Sequence, residues 1–165
     1  MEVSVALRPA THEDESFLLE VYASTRLEEL DLTQWDQAQR AAFVTMQFNA
    51  QRRHYEVNFP EAEQQVILFN AERVGRLYIA RLDQTIRILD ITILPASRNA
   101  RIGTSILTGI LRESAETAKP VQIYVESFNP SLRLFERLGF NQVDAIDYNF
   151  LMEWTPARDA GKGGR

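Results

Sequence analysis

One stretch of the sequence, Asp90 to Leu111, constrains the fold more than any other. It starts with an apolar strand pattern that Pro95 stops, since a proline cannot donate to a β-ladder. A basic turn, Arg98 to Gly103, follows, and apolar residues then recur at helical spacing: Ile102, Ile106, Leu107, Ile110 and Leu111. Helix amides and the positive end of the helix dipole point toward such a turn. The pattern therefore predicts an anion site, with a solvated arginine surface as the alternative.

Composition narrows the classes of protein to consider. The chain has 165 residues, no cysteine and a net charge of −5. We expect one well-cored domain over residues 1–155 and a mobile tail over 156–165. The lack of cysteine excludes disulfides and thiolate metal sites, and the charge argues against broad nucleic-acid binding. Because the sequence has no apolar run near the ~20 residues of a membrane span and no secretory signal, we expect a cytoplasmic protein without metal or membrane partners.

Helix and strand signals alternate along the chain. Thr11 with Asp14, and Thr33 with Asp36, resemble capping boxes that start two helices, and Gly139 is typical of a helix C-terminus. The predicted elements are a strand over 3–7, helices over 11–30 and 33–59, strands over 66–69, 74–81 and 85–94, a helix ending near 119, a strand over 121–125, a helix over 129–138 and a strand over 148–154. No internal repeat or linker separates these elements, which favours one domain.

The predicted strand over 85–94 changes phase along its length. Ile86 and Ile88 occupy one phase of the period-2 pattern, and Leu89, Ile91 and Ile93 occupy the other. A β-bulge produces such a slip, and bulges often lie beside active sites. A strand buried on both faces produces the same pattern, so both interpretations stay open.

Two local motifs, together with the order of elements, carry a resemblance to a known family. Ile93-Leu94-Pro95 followed by Arg98 to Gly103 resembles the signature Q/R-x-x-G-x-G/A after a strand of the GNAT superfamily. Asn129, followed by Leu134 to Phe140, resembles the family pattern of an asparagine and then L-Y-E-K/R-L-G-F. The chain as a whole resembles these acyl-CoA-dependent N-acyltransferases.

The resemblance implies a fold and an activity. The fold is α/β, with a mixed, mostly antiparallel sheet of six to seven strands flanked by four helices and with strands four and five splayed. The activity is that of an N-acetyltransferase, which moves an acetyl group from acetyl-CoA to a small-molecule amine or a protein amino group by direct transfer in a ternary complex. The protein is then a monomer or homodimer. The alternatives are a catalytically weak or inactive CoA-binding regulatory or protein-interaction module, and an acidic scaffold domain.

The resemblance also implies a set of cofactor-binding residues. The main chain of one strand pairs with the pantetheine arm, and amides of the basic turn hold the pyrophosphate. Two more residues of the set come after the fifth strand in the sequence. These residues are Ile91, Thr92 and Ile93 in the strand, Arg98, Asn99, Ala100, Arg101, Ile102, Gly103 and Thr104 in the turn, and Asn129 and Phe135. Asn129 contacts the pantetheine or caps the last helix. Two residues depart from the pattern: Arg101 stands at a usual glycine, and Phe135 stands at the tyrosine thought to protonate the leaving thiolate.

The acceptor side of the expected site has fewer signals. An attacking amine must be neutral, and the nearest carboxylates by position, Asp90 and Glu126, are candidate bases or structural acids. Residues at the end of the second helix, His54 and Tyr55, are candidates for the substrate wall. Trp35 is favoured as a core aromatic residue.

Overall fold

The computed structural model describes residues 4–98 and 100–157, and the chain divides into two compact units. The first comprises residues 1–80 and 89–103, and the second residues 81–88 and 104–165. The elements are β1 (Val5–Pro9), α1 (Glu15–Ser24), α2 (Leu27–Asp31), α3 (Gln37–Asn58), β2 (Glu63–Phe69), β3 (Glu72–Arg81), β4 (Ile86–Ile93), α4 (Ile102–Thr117), β5 (Val121–Glu126), α5 (Leu132–Arg137), β6 (Asn141–Ile146) and β7 (Asn149–Trp154). Val3 of the predicted first strand, Asn99 and the tail from residue 158 lie outside the described residues. No helix in the described part is long and apolar enough to cross a membrane.

The strands follow the order β1-β2-β3-β4-β5-β7-β6. The β4–β5 pair is parallel, and the pairs β1–β2, β2–β3, β5–β7 and β6–β7 are antiparallel. The predicted fold class, a mixed and mostly antiparallel α/β sheet of up to seven strands, is confirmed. Register shifts occur between Ile67 and Leu68 and between Gln142 and Asp144, while the bulge predicted in β4 stays a prediction.

The core of the first unit forms where the helices α1, α2 and α3 contact β2. Its buried members are mainly large apolar side chains, each of which stabilises the fold by about 1.5–3 kcal/mol when fully buried. They are Phe17, Leu18, Val21, Tyr22, Leu30, Val44, Phe48 and Val66. Leu18, Val21 and Tyr22 recur at helical spacing and therefore lie on one face of α1.

The first helix is shorter than predicted, and the four expected helices are therefore five in the described residues. Helix α1 ends at Ser24, and α2 resumes at Leu27 instead of one helix running to Leu30. The Thr25 hydroxyl donates to the Tyr22 carbonyl at 2.7 Å. Hydroxyl side chains near helix carbonyls compete with the helix ladder in this way, and here the competition coincides with the break.

The second predicted helix begins later than the capping signal at Thr33 indicated. The side chain of Asp36 accepts from the Gln39 amide at 2.8 Å, and the Gln39 side chain returns a bond, so Asp36 is the N-cap of α3. Thr33 instead donates to the Leu30 carbonyl. Trp35 therefore precedes the helix; its ring contacts Phe43 but stays 38% exposed, so the prediction of a core residue was wrong.

In the second unit, three residues of the predicted apolar stripe of α4, Ile106, Leu107 and Ile110, are buried, whereas Leu111 is half-buried. Val121, Ile123 and Val125 of β5 are all at most 5% exposed. Gly139 has φ +101°, and the amides of Gly139 and Phe140 donate to the carbonyls of Glu136 and Phe135, so the predicted C-cap is confirmed. Strand β6 was missed in the residue pattern because all six of its residues are exposed and show no apolar alternation.

Candidate functional site

The second half of β4 contains the main chain predicted to contact the cofactor. The parallel ladder of β4 with β5 consists of three residue pairs and ends at Ile88 opposite Ile123, whereas β4 continues to Ile93. Side chains from Leu89 to Ile93 are half-buried. The predicted pantetheine-binding segment, Ile91 to Ile93, therefore lies in the part of β4 that extends past this ladder.

Tyr55, a predicted substrate-wall residue on α3, contacts β4 in the first unit. Its hydroxyl donates to the Leu89 carbonyl at 3.0 Å, one residue past the last β4–β5 pair. Its ring packs edge-on against Tyr78, with 5.0 Å between the centroids. Burial, reinforced by the negative charge of Asp90, raises the pKa of Tyr55 to about 12. The phenol is therefore neutral and already donating at physiological pH.

Asp90, a predicted candidate base, belongs to a hydrogen-bonded group that we call the Asp90 cluster: Asp90, Arg76, Gln51 and Thr92. Arg76 donates to Asp90 Oδ2 from Nε at 2.9 Å and from Nη2 at 2.8 Å, and Nη2 also donates to Gln51 at 2.9 Å. The Thr92 hydroxyl lies 3.1 Å and 3.0 Å from the two carboxylate oxygens. The Arg76 side chain is 3% exposed and the Asp90 carboxylate 23% exposed. A buried guanidinium thus holds a partly exposed carboxylate in one orientation.

The sequence analysis missed Arg76, although the sequence carried a signal for it. Arg76 interrupts the apolar run Val74 to Ala80 of β3, and a charge inside a buried strand needs a partner. Neighbouring Gly75 brings the two strands close together, because a Cβ there would lie 2.2 Å from the Thr92 carbonyl oxygen. Arg76 and Gly75 together position this part of β4.

The basic turn follows β4 in the same unit. A short 3-10 helix, Pro95–Ser97, precedes Arg98, whose Nε donates to the Ile93 carbonyl at 3.2 Å. The Arg98 and Arg101 side chains are exposed, as is Ala100. Both predicted guanidinium groups therefore lie at the surface, where they can contact an anion.

Arg101 adopts the backbone that a glycine favours. Its φ is +59°, in the left-handed region that costs a residue with a Cβ about 1–2 kcal/mol. The next residue, Ile102, is 2% exposed and starts α4. Burial of Ile102 fixes the chain on one side of Arg101, so the turn keeps this conformation although the residue is an arginine.

Three further predicted site residues, Asn129, Phe135 and Glu126, lie in the second unit. Asn129 is not the N-cap of α5. Its side chain accepts from the Ser131 amide at 2.9 Å, and this bond forms a turn that precedes the start of the helix at Leu132. Phe135 is 2% exposed and packs edge-on against Phe140, so its ring belongs to the core. Glu126 is half-buried at the end of β5.

The second unit also contains a polar row that the sequence analysis did not identify. Arg87, Gln122 and Glu153 are opposite each other on three neighbouring strands. Arg87 donates to Gln122 at 2.8 Å, and Gln122 donates to Glu153 at 2.6 Å. The Arg87 guanidinium lies 5.3 Å from the centroid of the Tyr124 ring. These contacts fix the side-chain amide of Gln122 between opposite charges.

His54 differs from Tyr55 in its surroundings. It is exposed, and its ring nitrogen Nδ1 lies 3.1 Å from the side-chain amide of Asn58, one helical turn later. Its contact with Tyr55 is a tilted ring pair 5.9 Å apart. Of the two predicted wall residues, Tyr55 is the one that contacts β4.

Neither a protein-family model nor a curated protein matches the sequence. Solved structures do match it in three dimensions. PaiA N-acetyltransferase from Thermoplasma acidophilum, in complex with coenzyme A, superposes with a TM-score of 0.70 at 15% identity, over 92% of this chain and 99% of that chain. An acetyltransferase from Thermus thermophilus gives 0.66 at 17% identity, over 92% and 97% of the two chains. An acetyltransferase of the GNAT family from Staphylococcus aureus gives 0.62 at 14% identity, over 92% and 99%. The fold of this chain is therefore the GNAT fold.

Proposed function

We propose that this protein is an N-acetyltransferase that transfers the acetyl group of acetyl-CoA to a primary amine by direct attack in a ternary complex. The acceptor is a small molecule or a protein amino group, and the domain spans residues 1–155. The observation that carries the proposal is the GNAT fold over 92% of the chain, with one similar structure holding coenzyme A. The left-handed backbone of Arg101 adds support, since the turn keeps a glycine-like conformation at a signature position.

The cofactor contacts of the proposal come from main-chain groups and two arginines. Amides of the turn from residue 98 to 104 and the guanidinium groups of Arg98 and Arg101 hold the pyrophosphate, since charge-assisted bonds to phosphate are the strong ones. The main chain of Ile91 to Ile93 orients the pantetheine arm and acyl group, and Asn129 and Phe135 complete the proposed set. The Arg98 side chain also donates to the Ile93 carbonyl, so it links the turn to β4.

The chain's own residues orient the reactants more than they move protons. Acetyl-CoA would supply a thioester whose carbonyl carbon bonds to the nitrogen of a neutral amine while the C–S bond breaks, and the proton lost by the nitrogen would pass, through water, to the departing thiolate. Phe135 has no hydroxyl to protonate the departing sulfur. A thiol with a reference pKa near 8.5 is nevertheless a fair leaving group, so slow transfer proceeds without a positioned acid. Asp90 and Glu126 remain the candidate carboxylates on the acceptor side.

A second candidate function is a CoA-binding module that transfers nothing. The burial of Phe135 against Phe140, with the aromatic ring used for packing, favours this alternative over a fast enzyme. The two candidates share the cofactor site and differ in turnover.

Thermal denaturation with and without acetyl-CoA tests the cofactor site. A ligand that binds only the folded protein adds about 2.7 kcal/mol to its stability at a hundredfold excess over Kd. We expect a raised Tm for the wild type and no shift for Arg98→Glu, which reverses the charge of an exposed side chain. An absent wild-type shift at millimolar acetyl-CoA contradicts both candidates. Release of free CoA across a panel of amines then separates enzyme from module.

A further inference from the structure

The surroundings of Asp90 bear on which amines the proposed enzyme accepts. A general base must be free to take a proton and to remain stable when it has done so. Asp90 accepts two bonds from Arg76 and a third from Thr92. Arg76 is 3% exposed, and a buried guanidinium needs its carboxylate partner close by. Asp90 is therefore committed to Arg76 and is suited to orienting a reactant.

The phenols of this region are equally poor bases. The pKa of Tyr55 is raised to about 12, mainly by burial, and its hydroxyl proton is donated to Leu89. Burial and the charge of Glu56 also raise the pKa of Tyr78. Neither side chain ionises near pH 7, so neither removes a proton from an ammonium group.

The other charged groups around the cluster divide into paired and exposed ones. On α3, Arg52 pairs with Glu15 of α1 at 3.0 Å, and Glu56 is exposed. Arg76 of β3 is committed to Asp90 and Gln51. Among the described residues around the cluster in the first unit, Glu56 is therefore the carboxylate whose effect on the rate an experiment must distinguish from that of Asp90.

We propose that the acceptor is a weakly basic amine, such as a peptide α-amino group or an aromatic amine, and not an alkylammonium group such as a lysine side chain. The inference rests on the proposed acetyl transfer. With Asp90 held by Arg76, the amine has to arrive already neutral. At pH 7 about one in seven α-amino groups of pKa near 7.8 is neutral, against about one in 2,500 lysine amines of pKa 10.4. This difference alone favours the weakly basic amine about 300-fold.

The test uses two peptides that differ in their single free amine. One has a free α-amino group and no lysine; the other is N-acetylated and contains one lysine. We measure kcat/KM by CoA release from pH 6.5 to 9.5. We expect the α-amine peptide to be favoured by at least about a hundredfold at pH 7 and its rate to level off near pH 8. The rate with the lysine peptide should rise about tenfold per pH unit throughout, since only the neutral fraction changes.

Carboxamide variants identify a base if one exists. Asp90→Asn, Glu56→Gln and Glu126→Gln should each keep the tenfold slope with the lysine peptide, whatever their absolute rates. A lysine peptide that matches the α-amine peptide at pH 7, or a flat profile that one variant makes steep, overturns the inference while the acetyl transfer stands. No transfer to either peptide, to an aromatic amine or to any other amine of the panel, with the acetyl-CoA thermal shift intact, overturns the transfer itself and the inference with it. If Asp90→Asn does not fold, the wild-type comparison decides.

Discussion

Asp14 and Asp90, both in the first unit, each accept hydrogen bonds from arginine. The buried partner is the carboxylate in the first case and the arginine in the second. Asp14 is 2% exposed and accepts from Arg8 at 2.7 Å and 2.8 Å and from Arg73 at 3.2 Å, while those arginine side chains are 38% and 44% exposed. We call these three residues the Asp14 cluster. In the Asp90 cluster the order is reversed, because Arg76 is buried and its carboxylate is partly exposed. The same pair of groups therefore presents a cation outward in one cluster and an anion outward in the other.

This inversion distinguishes a structural pair from a positioning pair. A buried carboxylate enclosed by flexible arginines joins the segment before α1 to β1 and β3 and offers nothing to a ligand. In the Asp90 cluster, a buried arginine fixes a carboxylate that is 23% exposed, next to Leu89, and we propose that this carboxylate orients a reactant. Substitutions in the Asp14 cluster should therefore change stability, and those in the Asp90 cluster should change kinetics.

The largest expected effect is on folding, from Asp14→Ala. Removing a buried partner of a charge pair costs about 3 kcal/mol, at the low end of the usual range because the two stranded arginines are solvated. Urea denaturation measures the free energy of unfolding. The exposed neighbour Glu13→Ala is the matched control and should change it by less than about 0.5 kcal/mol. A loss below about 1 kcal/mol for Asp14→Ala would remove the contrast between the clusters.

The acid dependence of stability gives a second measure of the Asp14 cluster. The Arg8 guanidinium, with the Thr11 amide and Arg73, holds the pKa of Asp14 far below its usual value. A depressed carboxyl pKa contributes stability above the unfolded value of about 3.9 and loses it as the pH falls toward the folded value. The stability difference between wild type and Asp14→Ala should be constant from pH 5 to 7. It should then shrink by at most about 1.4 kcal/mol per pH unit below pH 4. A difference that persists unchanged at pH 2.5 would show that the charge is not its source.

Arg76→Met is the reciprocal experiment in the Asp90 cluster. The side chain of Arg76 lies 6.0 Å from the ring centroids of Phe48 and Tyr78, so an apolar replacement has aromatic neighbours. Removing one partner of a buried ion pair usually costs about 3–5 kcal/mol, but the remaining Asp90 carboxylate is 23% exposed and its solvation offsets part of this cost, so we expect a loss of about 1–2 kcal/mol. We expect kcat/KM for acetyl transfer to fall about tenfold to a hundredfold, because Asp90 and Thr92 lose their fixed orientation.

The matched control for Arg76→Met is Arg73→Met in the Asp14 cluster. It should lower stability by about 1 kcal/mol, the upper end for an ion pair with an exposed partner, because the Arg73 side chain is 44% exposed, and it should leave kcat/KM unchanged. The reverse outcome, in which Arg76→Met unfolds the protein and Arg73→Met slows the reaction, would exchange the roles assigned to the two clusters.

The sequence predicted those parts of the fold that depend on nearby residues. The Asp14 side chain accepts from the Thr11 amide at 2.9 Å, as the capping signal required, and Gly139 takes its left-handed φ. The break after α1 was missed because Ser24 and Thr25 are ordinary residues inside a helical pattern, and a sequence does not show that their hydroxyls donate to the carbonyls of Val21 and Tyr22 at the helix end.

The candidate site was predictable where its residues share one segment. The basic turn from Arg98 to Gly103 could be predicted because its spacing is local, and its role in binding the cofactor stays a prediction. Arg76 and Asp90 are 14 positions apart in the sequence and lie on neighbouring strands. Whether they meet depends on the register of β3 against β4, including the close contact of the two strands at Gly75. A single sequence shows that Arg76 needs a partner and does not show which carboxylate supplies it. For this reason Asp90 was predicted as a possible base, and its orientation by Arg76 was not.

The smallest expected effects come from replacing two residues with a left-handed backbone conformation, one in the basic turn and one in the β2–β3 hairpin. Arg101 in the basic turn has φ +59°, and Ala71 in the β2–β3 hairpin has φ +70°. Replacing either by glycine relieves about 1–2 kcal/mol of strain and gives back part of it as unfolded-state entropy, so each should stabilise by about 0.5–1 kcal/mol. Only Arg101→Gly should also reduce the thermal shift with acetyl-CoA, because it removes a guanidinium proposed to contact phosphate. Urea denaturation measures the first effect and the thermal shift the second. A full acetyl-CoA shift in Arg101→Gly would mean that the turn binds through its amides and Arg98, with Arg101 only a strained surface residue like Ala71.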